Sequence, residues 1–326
     1  MLQTRMKALR KRAFMKHYTL LAFIALFTFS CANAAPTGGT ENTVFKTEDA
    51  ADGFMVETVA GGLEVPWAFA WLPNGDMLFT ERPGRVRIIE KGQLKKDPVY
   101  VVPDVEPSSE SGLMDVSVHP DFANNSFVYL AYAYRGDGKQ VKIVRYKYAE
   151  GKLTEPKAII ENIPAAPNHA GTRARFGPDG KLYITTGDST DWNLAQVNDS
   201  LAGKTLRLND DGSVPKDNPF VGKEGYRPEI WTTGHRNAQG LDWQPGTGLM
   251  FQTEHGPSNF EGRGGGADEV NIVEAGKNYG WPTIWGNRTK EGMETPLLEY
   301  SPACAPGSGA FYNGDKFPEF KGNFFL

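Results

Sequence analysis

The chain has 326 residues, among them 37 Gly and 22 Pro. These two turn-forming residues make up roughly 18% of it, against an ordinary share of about 12%. Apolar residues at 40% and charged residues at 23% describe a globular chain and exclude disordered, collagen-like and heptad classes. The net charge of −4 is unevenly placed: residues 1–34 hold Arg5, Lys7, Arg10, Lys11, Arg12 and Lys16 and no acid, so the rest carries 29 basic against 39 acidic residues. An acidic body without a basic block excludes nucleic acid and anionic lipid as main partners.

The basic start leads into Thr19 to Ser30 (TLLAFIALFTFS), followed by Cys31-Ala32-Asn33-Ala34-Ala35. A charged stretch, a short apolar run and an Ala-x-Ala site predict a secretory signal over 1–34, cut after Ala34, with Met15 as an alternative start. The run is too short for an ordinary membrane-spanning helix. Lipid attachment at Cys31 is the rival reading and fits less well, because Thr28 stands where an aliphatic residue is expected. Export predicts a periplasmic or secreted protein. Cleavage leaves Cys304 as the only cysteine and no intrachain disulfide. Residues 35–52 are small and polar and read as a tail, which puts the folded domain at 53–326.

Within the domain one pattern recurs. A Pro-led turn opens a strand at Leu72-Pro73-Asn74-Gly75 before Met77 to Thr80, and at His119-Pro120-Asp121 before Phe127 to Leu130. It returns at Gly177-Pro178-Asp179-Gly180 before Leu182 to Thr185, and at Pro245-Gly246-Thr247-Gly248 before Met250 to Gln252. Another strand-like stretch precedes the turn at Trp67 to Trp71, Met114 to Val118 and Leu241 to Trp243, and Lys142 to Tyr148 alternates as a half-buried strand. The repeat predicts an all-β chain of propeller blades, with a β-sandwich as the alternative. Asn209-Asp210-Asp211-Gly212 lacks the spacing of a calcium loop and reads as a hairpin turn. His119, His235 and His255 have no zinc-ligand spacing, and neither a nicotinamide fingerprint nor a hydrolase elbow is present.

Six motifs in order give the chain a specific resemblance. They are Pro66-Trp67-Ala68-Phe69 with Thr80-Glu81-Arg82-Pro83-Gly84-Arg85; Gly112-Leu113-Met114-Asp115-Val116 with His119-Pro120-Asp121-Phe122; and Asn168-His169-Ala170-Gly171-Thr172-Arg173. Next come Gly234-His235-Arg236-Asn237-Ala238-Gln239-Gly240, Glu254-His255-Gly256-Pro257, and Asp268-Glu269-Val270-Asn271 with Asn278-Tyr279-Gly280-Trp281-Pro282. Residues 54–326 thereby resemble the soluble aldose sugar (glucose) dehydrogenases that depend on pyrroloquinoline quinone (PQQ). The resemblance implies a six-bladed β-propeller with PQQ and calcium at its wide end. It implies oxidation of an aldose at the anomeric carbon to a lactone, with electrons passed to an external quinone or cytochrome.

The resemblance also assigns residues. His169 matches the catalytic base, a role that an imidazole titrating near neutrality suits. Asn168 stands before it where the family often has an acid, and could orient the ring only as an amide. Arg236 and Asn237 match the pair that contacts the quinone, where a guanidinium can stabilise developing negative charge. Glu110 occupies the place of a cofactor-contacting Gln. Gly256 and Pro257 match the carbonyls that hold calcium under the quinone, and Glu269 and Tyr279 match a second calcium site. The family extends beyond Asn323-Phe324-Phe325-Leu326, so the last blades are expected to be incomplete, and whether the piece alone is active stays open. A non-catalytic ligand-binding propeller and a metal-dependent lactonase-like hydrolase are the alternative functions, and a monomer and a homodimer are equally open. Mass spectrometry of the exported protein is expected to find Ala35 at its start; a diacylglyceryl group on Cys31 would overturn that reading.

Overall fold

The computed structural model describes residues 57–326, so the expected signal and tail lie outside the described residues. Strands β1 (Pro66–Trp71), β2 (Met77–Glu81), β3 (Arg85–Glu90) and β4 (Gln93–Leu94) form the first antiparallel sheet, and β5 (Tyr100–Val101) adds to β3. The second sheet is β6 (Leu113–Val118), β7 (Phe127–Gly136), β8 (Gly138–Ala149) and β9 (Lys152–Pro164). The third is β10 (Ala174–Phe176), β11 (Leu182–Thr185), β12 (Lys204–Leu208) and β13 (Ile230–Thr233). The fourth is β14 (Ala238–Trp243), β15 (Met250–Glu254), β16 (Asp268–Val273) and β17 (Leu298–Tyr300), and β18 (Ala310–Phe311) pairs with β19 (Phe324–Phe325). The first strands β1, β6, β10, β14 and β18 touch one another in chain order, which arranges the sheets around a common axis. This is a β-propeller. Its described residues make one five-stranded, three four-stranded and one two-stranded sheet, where the resemblance implied six blades.

The repeated Pro-led turns all join the first strand of a sheet to the second. In the first sheet Gly75 takes a φ of 86° and donates its N–H to the Leu72 carbonyl at 2.9 Å, a turn geometry that glycine reaches without strain. Asn209 to Gly212 also form a turn, with Gly212 N donating to Asn209 O at 3.1 Å. It is not the expected hairpin, because it opens the long connection 209–229 between β12 and β13.

Neighbouring sheets pack face to face, so their strands are buried on both sides and the period of two assigns each side chain to one interface or the other. Along β7, Val128, Leu130 and Tyr132 enter the core between the first and second sheets, with Leu78, Val86 and Leu113. The intervening Tyr129, Ala131 and Ala133 enter the core between the second and third sheets, with Ile143, Leu182, Ile184 and Leu206. Tyr183, between Leu182 and Ile184 on β11, faces the other way and meets Leu241, Met250 and Val273. Phe251, Val270 and Phe311 fill the next interface.

Threonines bridge the seams between sheets. Thr80 on β2 donates to the Met114 carbonyl of β6 at 3.2 Å, and Thr185 on β11 donates to the Ala238 carbonyl of β14 at 2.8 Å. Thr253 on β15 reaches the Ser308 carbonyl at 3.3 Å. Nearer the axis, Asp115 of β6 binds Arg173 at 3.0 Å and Arg175 at 2.7 Å. Arg173 also donates to the carbonyls of Gln239 and Gly307, each at 2.9 Å.

Lys204 on β12 is fully buried and donates Nζ hydrogen bonds to the carbonyls of Leu194 (2.7 Å), Ala195 (3.1 Å) and Ala202 (2.7 Å). It thereby ties the 3₁₀ turn Trp192–Gln196 to the third sheet. Burial draws its pKa down to about 7. The unfolded lysine keeps its proton to about pH 10.4, so between these values the unfolded chain binds more protons and stability must rise with pH. Denaturant melts from pH 7 to 10 are expected to give this rise in the wild type and a flatter profile in Lys204→Met; equal slopes would contradict it.

Candidate active site

His169 lies in the loop between β9 and β10, and its residue takes a φ of 55°. Its carbonyl presses on Gly187, where an added Cβ would stand 1.9 Å from that oxygen, so only glycine fits there. The close approach sets the imidazole beside the next residue, Asp188, whose side chain is inaccessible to solvent. Nδ1 of His169 meets Oδ1 of Asp188 at 2.8 Å, and the Trp281 indole N–H donates to Oδ2 at 2.8 Å. Thr190 N adds a third bond to the carboxylate, at 2.8 Å. A carboxylate on Nδ1 fixes the proton there and leaves the lone pair on Nε2, the arrangement a general base requires. The sequence pointed to Asn168 as the residue that could orient the ring. Instead Asp188 does so, and Asn168 Oδ1 is buried without a hydrogen-bond partner among the described residues.

Arg236 and Asn237 follow β13 and lead into β14, on the same side as His169. Asp188 N donates to the Arg236 carbonyl at 2.7 Å, and Gly187 and Asn237 form a β-bridge, so the segment that holds His169 meets Arg236 and Asn237 through the backbone. The Arg236 guanidinium is buried against Glu261 at 2.8 Å and donates to Ser258 Oγ at 3.2 Å. Glu254 accepts the Arg236 N–H and a 2.9 Å bond from His235 Nδ1. His235 is thus a packing residue: its Nε2 accepts from Thr232 at 2.8 Å and its ring stacks on Tyr279 with centroids 4.9 Å apart.

Glu110 closes the other side. Its Oε2 accepts from His169 N at 3.1 Å and from Asn237 Nδ2 at 3.4 Å, and Asn237 Oδ1 accepts from Gly171 N at 3.2 Å. Glu110, His169, Arg236 and Asn237 therefore occupy one site although they come from three different connections between sheets. His255 faces the same region; burial lowers its pKa, and its Nε2 is buried without a partner among the described residues.

The residues expected at calcium sites fall into two places. Gly256 and Pro257 follow β15, and Gly256 N donates to Asp268 Oδ1 at 2.8 Å. A Cβ at Gly256 would lie 2.1 Å from the Gly266 carbonyl and 2.3 Å from that of Ala267, so carbonyl oxygens crowd this turn. Glu269 on β16 sits opposite Glu254 on β15. Burial, and then the neighbouring Glu254, push its pKa up to about 8. Its oxygens accept from Gly286 N at 2.7 Å and Asn271 Nδ2 at 3.1 Å. The Tyr279 hydroxyl donates to the Ile272 carbonyl at 2.6 Å and accepts from Glu274 N at 2.9 Å, so that side chain is engaged within the protein. Among the described residues no three His, Cys, Asp or Glu side chains form a metal cluster.

Asp188, Trp281, Glu254 and Glu261 are the site residues that sequence reading left unassigned. Trp281 and Glu254 lie inside motifs already singled out, and Asp188 comes three residues after the third repeat's second strand. The described residues contain no helix long and apolar enough to cross a membrane.

Comparison with known proteins gives the family. The Glucose / Sorbosone dehydrogenase family model matches residues 63–326. Aldose sugar dehydrogenase YliI of Escherichia coli is 38% identical over 291 residues, 83% of this chain and 76% of that protein. Quinoprotein glucose dehydrogenase B of Acinetobacter calcoaceticus is 31% identical over 306 residues, covering 84% of this chain and 61% of the relative. The PQQ-bound form of aldose sugar dehydrogenase from Streptomyces coelicolor superposes with a TM-score of 0.71 at 32% identity, over 84% of this chain and 76% of that one. With His169, Arg236 and Asn237 gathered at one face of a propeller and the family model spanning these residues, the chain belongs to the glucose/sorbosone dehydrogenase family of oxidoreductases.

Proposed function

We propose that this protein is an exported quinoprotein that oxidises aldose sugars at the anomeric carbon to lactones and passes the electrons to an external acceptor. The observation that carries the reading is the chain Trp281–Asp188–His169 set beside Arg236 and Asn237. A relative named as a quinoprotein and another solved in its PQQ-bound form support the cofactor. The reading includes a six-bladed ring, of which the described sheets are a part.

The residues fit the cofactor. Arg236 and Asn237 offer a guanidinium and an amide, and the buried, unpartnered His255 Nε2 and Asn168 Oδ1 are polar atoms that a quinone or sugar could satisfy. PQQ supplies an electrophilic quinone carbon able to accept hydride. Calcium would be held by the carbonyls of Gly256 and Pro257, oxygen ligands of the kind a hard cation takes, and would supply Lewis acidity; the carbonyls of Gly266 and Ala267 pack against the same turn. A second cation would be held by Glu269 and the Tyr279 backbone oxygen, easing the repulsion between Glu269 and Glu254.

His169 Nε2 takes the proton of the anomeric hydroxyl. Asp188 stabilises the imidazolium that results and keeps the ring from rotating, and Trp281 holds Asp188 in turn. Glu110 fixes the backbone of His169 and the Asn237 amide, which makes it a positioning residue in this scheme.

Reconstitution with PQQ and calcium, followed by aldose-dependent dye reduction, tests the assignment. His169→Ala is expected to lose on the order of 10²–10⁴ in rate with cofactor affinity largely unchanged. Arg236→Ala should lower both affinity and rate. Wild-type turnover in His169→Ala would remove it as the base, and failure of the wild type to bind PQQ would remove the dehydrogenase reading.

A further inference from the structure

Arg263 is half-buried and has no carboxylate partner among the described residues, unlike the buried Arg173, Arg207 and Arg236. It lies in the loop between the 3₁₀ turn Asn259–Glu261 and β16. Arg173, Arg207 and Arg236 each face a carboxylate within 3.0 Å. Arg263 instead faces indoles: its guanidinium carbon lies 4.6 Å from the Trp192 ring, 5.3 Å from Trp281 and 5.0 Å from Trp285. Nη1 donates to the Pro282 carbonyl at 2.9 Å, and Nε is buried with no hydrogen-bond partner among the described residues. The carboxylate nearest in sequence, Glu261, is already used: Oε1 binds Arg236 at 2.8 Å and Oε2 accepts from Ser258 N at 2.5 Å.

Three indoles stabilise a cation through their faces and strip it of water, yet offer no acceptor to its N–H groups. With Nη1 taken by the Pro282 carbonyl, the guanidinium keeps its Nε unserved on the edge it shares with Nη2, and the group that matches such an edge is a carboxylate. The position is informative too. Trp281, one of the three indoles, is bonded to Asp188 and so lies one residue from the catalytic pair, and its ring also lies 5.5 Å from the Arg236 guanidinium. Arg288, stacked at 3.6 Å on Trp285, adds positive charge at the exposed end of the cluster.

We propose that Arg263, between Trp192, Trp281 and Trp285, is a carboxylate-binding residue beside the active site. The carboxylate belongs either to an anionic aldose such as a hexuronic acid or to the tricarboxylic quinone. The choice of these two sources rests on the dehydrogenase reading; the unserved Nε does not.

The test uses cofactor-free protein, with wild type, Arg263→Gln and Arg263→Lys compared. Tryptophan fluorescence tracks titration with D-glucuronate and D-glucose, and calorimetry tracks titration with PQQ. Arg263→Gln is expected to weaken glucuronate or PQQ roughly ten- to hundredfold while leaving glucose unchanged, and Arg263→Lys to recover part of the loss. A loss confined to glucuronate assigns the carboxylate to the sugar; one confined to PQQ assigns it to the cofactor. If Arg263→Gln does not fold, Arg263→Lys decides, with several-fold weaker anion binding expected from loss of the fork. Unchanged affinity for both anions in a folded variant overturns the proposal, as does a wild type that binds neither. A wild type that binds glucuronate through Arg263 but no PQQ supports the proposal and removes the dehydrogenase reading. PQQ binding indifferent to Arg263, with no glucuronate binding, does the reverse.

Discussion

The ion pair of Asp115 and Arg173 is the contact on which the arrangement of sheets rests. Both side chains are buried, and in such an interior an isolated charge costs about 3–5 kcal/mol, so neither partner can leave alone. Asp115 belongs to the second sheet; Arg173 enters the third and reaches the carbonyls of Gln239 in the fourth and Gly307 before β18. One guanidinium therefore fixes the spacing of several sheets at the axis. His169 lies four residues earlier in the chain, so the same constraint sets where the proposed base emerges.

The site inherits its rigidity from this axis. His169 cannot shift without moving its carbonyl off Gly187, and Gly187 is bridged to Asn237. Arg236 cannot shift without exposing Glu261 and breaking the Glu254 bond that also holds His235. Buried polar groups that are each served by a partner define one geometry, and an unserved one beside the site is open to a ligand. His255 Nε2, Asn168 Oδ1 and Arg263 Nε are such atoms among the described residues.

Much of the fold was legible in the residues. The Pro-led turns and the aromatic, β-branched runs after them placed β2, β7, β11 and β15, because a strand buried on both faces needs apolar residues at successive positions. His169, Arg236 and Asn237 were legible because their motifs resemble a known family, and the structure brings them together. Asp188 was not legible, since a carboxylate beyond a strand end looks like any other until the fold sets it against an imidazole. Trp281 was hidden differently: an indole in a Gly-Trp-Pro stretch reads as packing, and only its 2.8 Å bond to Asp188 gives it a part in the proposed chemistry. The number of blades was not carried by the repeat, whose spacing widens along the chain.

The threonine bridges at the seams have an evolutionary consequence. Thr80, Thr185 and Thr253 each tie the second strand of a sheet to the backbone across the next seam. Residues just past these anchors, such as Asp188 after Thr185, keep their register whatever is inserted between the outer strands. The 209–229 connection can thus lengthen, shorten or change composition without displacing His169 and Asp188. Substrate preference and redox chemistry are then free to diversify at different rates on one scaffold.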